Sequence, residues 1–125
     1  MSGEKILIAD DSAQVRMMVR AALEDRGYMI VEAVDGADAL QKAIDEQPDL
    51  MLLDLTMPEL DGFEVLTFMG KRPETCNIKV MMLTGSAETS NQQYGYTLGA
   101  IGYIVKPFIT AQLQTAVDRA LSNPW

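Results

Sequence analysis

Four short apolar runs in this sequence end in residues that can do chemistry. Lys5 to Ala9 ends in Asp10-Asp11, Leu50 to Leu53 in Asp54, Ile78 to Leu83 in Thr84-Gly85-Ser86, and Gly102 to Val105 in Lys106-Pro107. Three carboxylates gathered in one place repel one another and need a cation. An all-oxygen ligand set suits Mg²⁺, which keeps several waters and takes few protein ligands. A hydroxyl and an ammonium beside that ion suit a bound phosphoryl group. An aspartate next to a divalent ion can accept such a group as a nucleophile. The ion bridges carboxylate and phosphate oxygens and neutralises charge that develops in the transition state.

These residues meet only if the runs lie side by side and point the same way. The stretch from Pro48 to Leu66 organises that arrangement. Its apolar run reads as a strand buried on both faces, followed by a turn at Thr56-Met57-Pro58 and a helix from about Asp61 to Gly70. Asp54 then sits at the carboxyl end of a central strand, the edge where open α/β sheets bind ligands. Before it lie strand one, at residues 5–9, and a helix with Ser12 as N-cap, apolar face Val15, Met18, Val19, Ala22 and Leu23, and Gly27 at C′. Tyr28 to Val34 reads as strand two, and its Glu32 suits a position near the sheet edge. Asp35-Gly36 makes a turn, Ala37, Leu40, Ala43 and Ile44 line helix two, and Pro48 ends it. Residues 71–77 read as a loop and 78–83 as strand four. Helix four, from Glu88 to Tyr96, holds poor helix formers, and Gly95 alone costs about 1 kcal/mol relative to alanine. Residues 102–105 form strand five. Thr110 caps helix five, whose apolar face is Leu113, Ala116, Val117, Ala120 and Leu121, and Ser122 to Trp125 is a tail. Alternation of this kind predicts a parallel α/β sheet with helices on both faces.

Composition narrows the functions. The 125 residues suffice for one domain spanning 1–125. A net charge of −8 with no histidine argues against nucleic acid and against an anionic membrane surface as partners. The single cysteine, Cys76, cannot form an internal disulfide. The N-terminus lacks a signal-peptide pattern and no run is long enough to span a bilayer, so a cytoplasmic location is expected. The nine methionines read as core filler.

The chain resembles the receiver domains of bacterial two-component response regulators, of the chemotaxis-regulator kind, from about Lys5 to Leu121. The resemblance is carried by Ile8-Ala9-Asp10-Asp11-Ser12, by Leu53-Asp54-Leu55-Thr56-Met57-Pro58-Glu59-Leu60-Asp61-Gly62, by Leu83-Thr84-Gly85 and by Tyr103-Ile104-Val105-Lys106-Pro107-Phe108. It implies a flavodoxin-like (βα)5 sheet in strand order 2-1-3-4-5 and a phosphorylation-activated signalling switch, catalysing only its own phosphorylation and slow dephosphorylation. Asp54 would be the phosphoacceptor. Asp11 would bind Mg²⁺ directly and Asp10 largely through water, with the Thr56 carbonyl as a further ligand. Thr84 would bond the phosphoryl oxygen, Gly85 would leave room for that group, and Lys106 would pair with its charge or with Asp54 before transfer. Tyr103 would be the switching aromatic. Thr56 and Ser86 would flank the phosphoryl group, and the Lys106-Pro107 bond would be cis. The implied partners are a sensor histidine kinase or histidine phosphotransfer protein, and a target protein docking on helix four, strand five and helix five, with Ile101, Phe108 and Ile109 as apolar contacts. Two departures stand out: helix four is unusually polar, and no effector domain follows, so output is expected to pass through a partner or a relay.

Each residue alone has a plainer reading. A lone Asp at a strand end is usually a cap, Lys106 a solvated charge, Thr84 a turn hydroxyl and Tyr103 half-buried packing. The joint pattern outweighs these, because each polar strand end would need its own explanation. A phosphohydrolase of the haloacid-dehalogenase type needs a second Asp two residues after the nucleophile, where this chain has Thr56. A degenerate scaffold receiver usually lacks one of the acidic residues, all present here. A flavodoxin-like flavin binder would want phosphate-cradling loops where this chain has carboxylates.

Overall fold

The structure, a computed structural model, describes residues 3–85 and 89–122, and of residues 89 and 90 the backbone alone. Ser86 and Glu88, and the tail beyond Ser122, lie outside the described residues. Five strands, β1 (Lys5–Ala9), β2 (Met29–Ala33), β3 (Leu50–Asp54), β4 (Lys79–Thr84) and β5 (Gly102–Val105), alternate with five helices. The helices are α1 (Ala13–Glu24), α2 (Gly36–Glu46), α3 (Gly62–Gly70), α4 (Thr89–Thr97) and α5 (Thr110–Ser122). All four strand pairings are parallel, in the order β2-β1-β3-β4-β5.

β3 lies at the centre and all five of its residues are buried. That is why its sequence is an unbroken apolar run rather than an alternating one. The sheet side chains divide between two cores. Leu7, Leu53 and Met82 face α2 and α3, packing with Ala39, Ala43, Val65 and Leu66. Ile8, Leu52 and Leu83 face α1 and α5, packing with Val19, Leu23, Leu113 and Val117. Five methionines fill these cores, whereas Met17, Met18 and Met29 are exposed.

Several local expectations shift in register. α2 buries Gly36, Ala39 and Ala43, whereas Ala37 is exposed. Its stripe therefore starts one residue earlier, at a glycine that carries no hydropathy signal, and Asp35 is the N-cap. Met18 lies at the margin of the α1 stripe and is half exposed. α1 ends at Glu24 with Asp25 as C-cap, so Gly27 (φ 87°) stands beyond C′. Thr110 is the first residue of α5 rather than its cap, and the Ile109 N–H bonds the Gln112 side chain instead. β2 and β4 differ from the expected bounds at their ends, and Thr84 belongs to β4.

α4 forms despite its poor propensity. Gly95 is buried, and a Cβ there would collide with the side chain of Met82 on β4. The glycine lets the helix approach the sheet, a tertiary contact that offsets a local cost. Phe63 of α3 and Tyr94 of α4 stack with ring centroids 4.9 Å apart.

Candidate functional site

The three carboxylates meet at the carboxyl edge of the sheet because β1 and β3 are adjacent and in register, Ala9 beside Leu53. The next residue on each chain segment is an aspartate, Asp10 just after β1 and Asp54 at the end of β3. Asp10, Asp11 and Asp54 each offer an oxygen, and these oxygens lie within 4.8 Å of one another. Asp10 is 0% exposed and Asp54 4%, whereas Asp11 faces solvent. Thr84, also 4% exposed, ends β4 on the other side of β3.

Lys106 reaches this edge from β5. Its backbone N–H bonds the Thr84 carbonyl at 2.7 Å, and the Lys106-Pro107 peptide is cis. Its ammonium lies 2.8 Å from Asp10 Oδ2 and 3.5 Å from Asp54 Oδ1. The lysine is thus held chiefly by Asp10, and the contact with Asp54 is looser. Burial lowers the Lys106 pKa, but the Asp10 hydrogen bond and the charge of Asp54 outweigh that and raise it. The lysine stays charged.

Local hydrogen bonds hold the acids. Asp10 Oδ1 accepts the Ser12 N–H at 2.9 Å, and Asp54 Oδ1 accepts the Thr56 N–H at 3.1 Å. Ser12 caps α1 through the Val15 N–H. Burial pushes the Asp54 carboxyl above the ordinary carboxylate value; the Thr56 N–H pulls it back, and the Asp10 charge pushes it up again. A group in this state gains from a nearby cation.

The donor set fits Mg²⁺. All of its atoms are oxygens, two of the three carboxylates are buried, and the one ammonium beside them pairs with Asp10 and Asp54 only. Gly85 is exposed, and a Cβ there would meet nothing within 4 Å, so the entrance beside Thr84 is open. Tyr103 is 39% exposed and packs edge-on against Tyr96, with centroids 6.2 Å apart. Ile109 is 64% exposed, whereas Ile101 and Phe108 pack partly against the α1–α5 core.

Two residues at this edge escape the sequence. At Gly62 a Cβ would lie 2.6 Å from the Asp54 carbonyl oxygen and 2.8 Å from the Leu55 Cα, so α3 can start here only with a glycine. The Asp61-Gly62 pair signals a helix start but not this backbone approach. Arg16 lies outside the apolar face read for the first helix and drew no expectation, yet it bonds the Asp10 carbonyl.

Comparison with known proteins agrees with this geometry. The response regulator receiver domain model matches residues 6–118. Sporulation initiation phosphotransferase F of Bacillus subtilis is 36% identical over 121 residues, covering 97% of this chain and 96% of that protein. Transcriptional regulatory protein ResD of Bacillus subtilis is 41% identical over 94% of this chain but 48% of its own length. The chain spans about half the length of several curated relatives it matches. Among solved structures, chemotaxis protein CheY4 of Vibrio cholerae superposes with a TM-score of 0.90 at 34% identity, covering 96% of this chain and all of that one. The chain therefore belongs to the receiver domain family of two-component response regulators, whose members are phosphorylation switches rather than enzymes acting on an outside substrate.

Proposed function

We propose that Asp54 accepts the phosphoryl group, from a histidine kinase or a histidine phosphotransfer protein, and that the change is read by a separate partner protein. The observation that carries this reading is the convergence of Asp10, Asp11, Asp54 and Lys106 on one sheet edge. Asp10, Asp11, Asp54 and the Thr56 carbonyl would hold Mg²⁺. When bound, that ion supplies neutralisation of the charge that builds on the phosphoryl oxygens. An Asp54 carboxylate oxygen forms the new bond to phosphorus as the bond from phosphorus to the donor imidazole nitrogen breaks. Lys106 offers its ammonium to the transferred oxygens, and the Thr84 hydroxyl bonds one of them. Sporulation initiation phosphotransferase F, matched over nearly its whole length, is by name a phosphotransferase, which supports a receiver that takes part in phosphoryl transfer. No described helix is long and apolar enough to cross a membrane.

The metal reading is tested by thermal melts. Mg²⁺ at ten times its Kd stabilises the fold by about 1.4 kcal/mol, which in a domain of this size raises Tm by about 5 °C. Asp11→Ala is expected to remove most of that shift. An equal shift in wild type and Asp11→Ala would place the ion elsewhere.

The output reading is tested by amide NMR with beryllofluoride as the phosphoryl mimic. Thr84 moving toward the phosphoryl group vacates space beside β4, and Tyr103 turns inward from its exposed position against Tyr96. The weak α4 is the bistable element, and phosphorylation shifts its equilibrium. Shifts are expected across residues 88–110, and Thr84→Ala is expected to shrink them while leaving phosphorylation intact. Changes confined to the loops around Asp54 would refute this coupling.

A further inference from the structure

The Asp10 carbonyl oxygen accepts a hydrogen bond from Arg16 Nη1 at 2.6 Å. The same guanidinium donates its Nε–H to Glu32 Oε1 at 3.0 Å. The second Glu32 oxygen accepts from Arg20 Nε at 2.6 Å. Arg16 thus reaches from α1 across the carboxyl ends of β1 and β2, with backbone on one side and a carboxylate on the other. Lys42 of α2 donates to the Glu32 carbonyl at 2.5 Å, so the edge strand that carries the clamp is itself held from the opposite face.

An exposed ion pair ordinarily contributes little to stability and has no other consequence; this pair is partly buried. Here the acceptor is the peptide that joins the two acidic residues. Asp10 is tied at every polar group: its N–H to the Ala33 carbonyl, its carboxylate to Ser12 and Lys106, and its carbonyl to Arg16. A planar guanidinium bonding two acceptors on different strands has little rotational freedom. The Asp10–Asp11 peptide plane is therefore fixed. Turning it would swing Asp11, the most exposed of the three carboxylates.

We infer that Arg16 is a positioning residue for the metal site: clamped to Glu32, it fixes the Asp10–Asp11 peptide and so sets the affinity for Mg²⁺. This rests on the reading of Asp10, Asp11 and Asp54 as Mg²⁺ ligands. Charge and positioning predict opposite signs. Removing the Arg16 cation would strengthen the binding of another cation by Coulomb's law alone. Losing an outer partner of a metal ligand weakens binding, typically by about 10- to 100-fold.

The experiment is calorimetric titration of MgCl2 into the metal-free full chain, with far-UV circular dichroism to confirm folding. Arg16→Ala is expected to weaken binding about tenfold. Arg16→Lys keeps the charge but has no fork to bridge both acceptors, and is expected to recover only part of the loss. Arg20→Ala, which shares Glu32 but does not touch Asp10, should stay within about twofold of wild type, below the range for outer partners. A wild-type chain that binds no Mg²⁺ overturns the metal reading itself. Wild-type binding with equal or tighter affinity in Arg16→Ala overturns the positioning role and leaves the metal site standing. Equal weakening in Arg20→Ala also overturns it, since the loss would then be general to α1. Should Arg16→Ala not fold, Arg16→Lys and Glu32→Gln decide, and wild-type affinity in both rejects the inference.

Discussion

Asp54→Asn is expected to abolish phosphorylation. With Mg²⁺ and acetyl phosphate the wild-type chain is expected to gain one phosphoryl group, stable in acid and labile in base, because attack by a carboxylate gives an acyl phosphate. The Asn variant should gain none, and peptide mass spectrometry should map the phosphoryl group of the wild type to Asp54. Labelling that persists unchanged in Asp54→Asn would reject Asp54 as the acceptor. The same substitution should make the metal-free protein more stable at neutral pH. Burial raises the Asp54 pKa in the folded chain above its ordinary 3.8, with the Asp10 charge adding to that against the Thr56 hydrogen bond. Between 3.8 and the raised folded value, the folded state binds more protons than the unfolded state. Stability contributed by this group therefore falls as pH rises through that window, and the cost is full above it. Asn carries no charge and escapes the cost. Relief of that cost appears as a rise in Tm, about 4 °C for each kcal/mol in a domain of this size. The difference between variant and wild type should narrow as pH is lowered toward 4. A gap that widens on acidification would contradict the sign worked out here.

Gly62→Ala is expected to give the largest loss of stability among single substitutions at the site edge. The added methyl would meet the Asp54 carbonyl oxygen and the Leu55 Cα, both backbone atoms at the buried carboxyl end of β3, which is paired there to β4. Neither can step aside as a flexible side chain can. The Gly62 N–H also bonds the Leu55 carbonyl at 3.2 Å, so moving α3 away breaks a turn hydrogen bond. Overpacking of this kind costs about 1–3 kcal/mol, and lowering Tm by about 10 °C would match the upper end. Phosphorylation should slow as well, because the displaced backbone carries Asp54. Gly95→Ala is the matched control: its methyl would meet the far end of the Met82 side chain, which can change rotamer. Denaturant unfolding of the two variants gives the comparison. Equal losses would mean that the Asp54–Leu55 backbone yields as easily as a methionine side chain.

The chemistry was legible in the sequence because of where it sits. Strands buried on both faces are near-continuous apolar runs, so the first polar residue after each run stands out, and Asp10, Asp11, Asp54, Thr84 and Lys106 were found in this way. Their assembly was not readable from periodicity. The lysine and its closest carboxylate are 96 residues apart, and only the parallel order and register of the sheet bring them together. The strand order came from the family resemblance. Local period also left the phase of α2 open, because Gly36 contributes no side chain to the pattern while Ala37 and Ala39 are equally apolar. Gly95 lowers helix propensity on its own, and its use is visible only where α4 meets Met82. Gly62 and Arg16 complete the division. Gly62 marks a helix start, which is correct as far as one element goes, and Arg16 merely lies outside the apolar face of α1. Their effect on Asp54 and Asp10 depends on the approach of a second strand or loop, and that approach is decided by packing across the sheet edge.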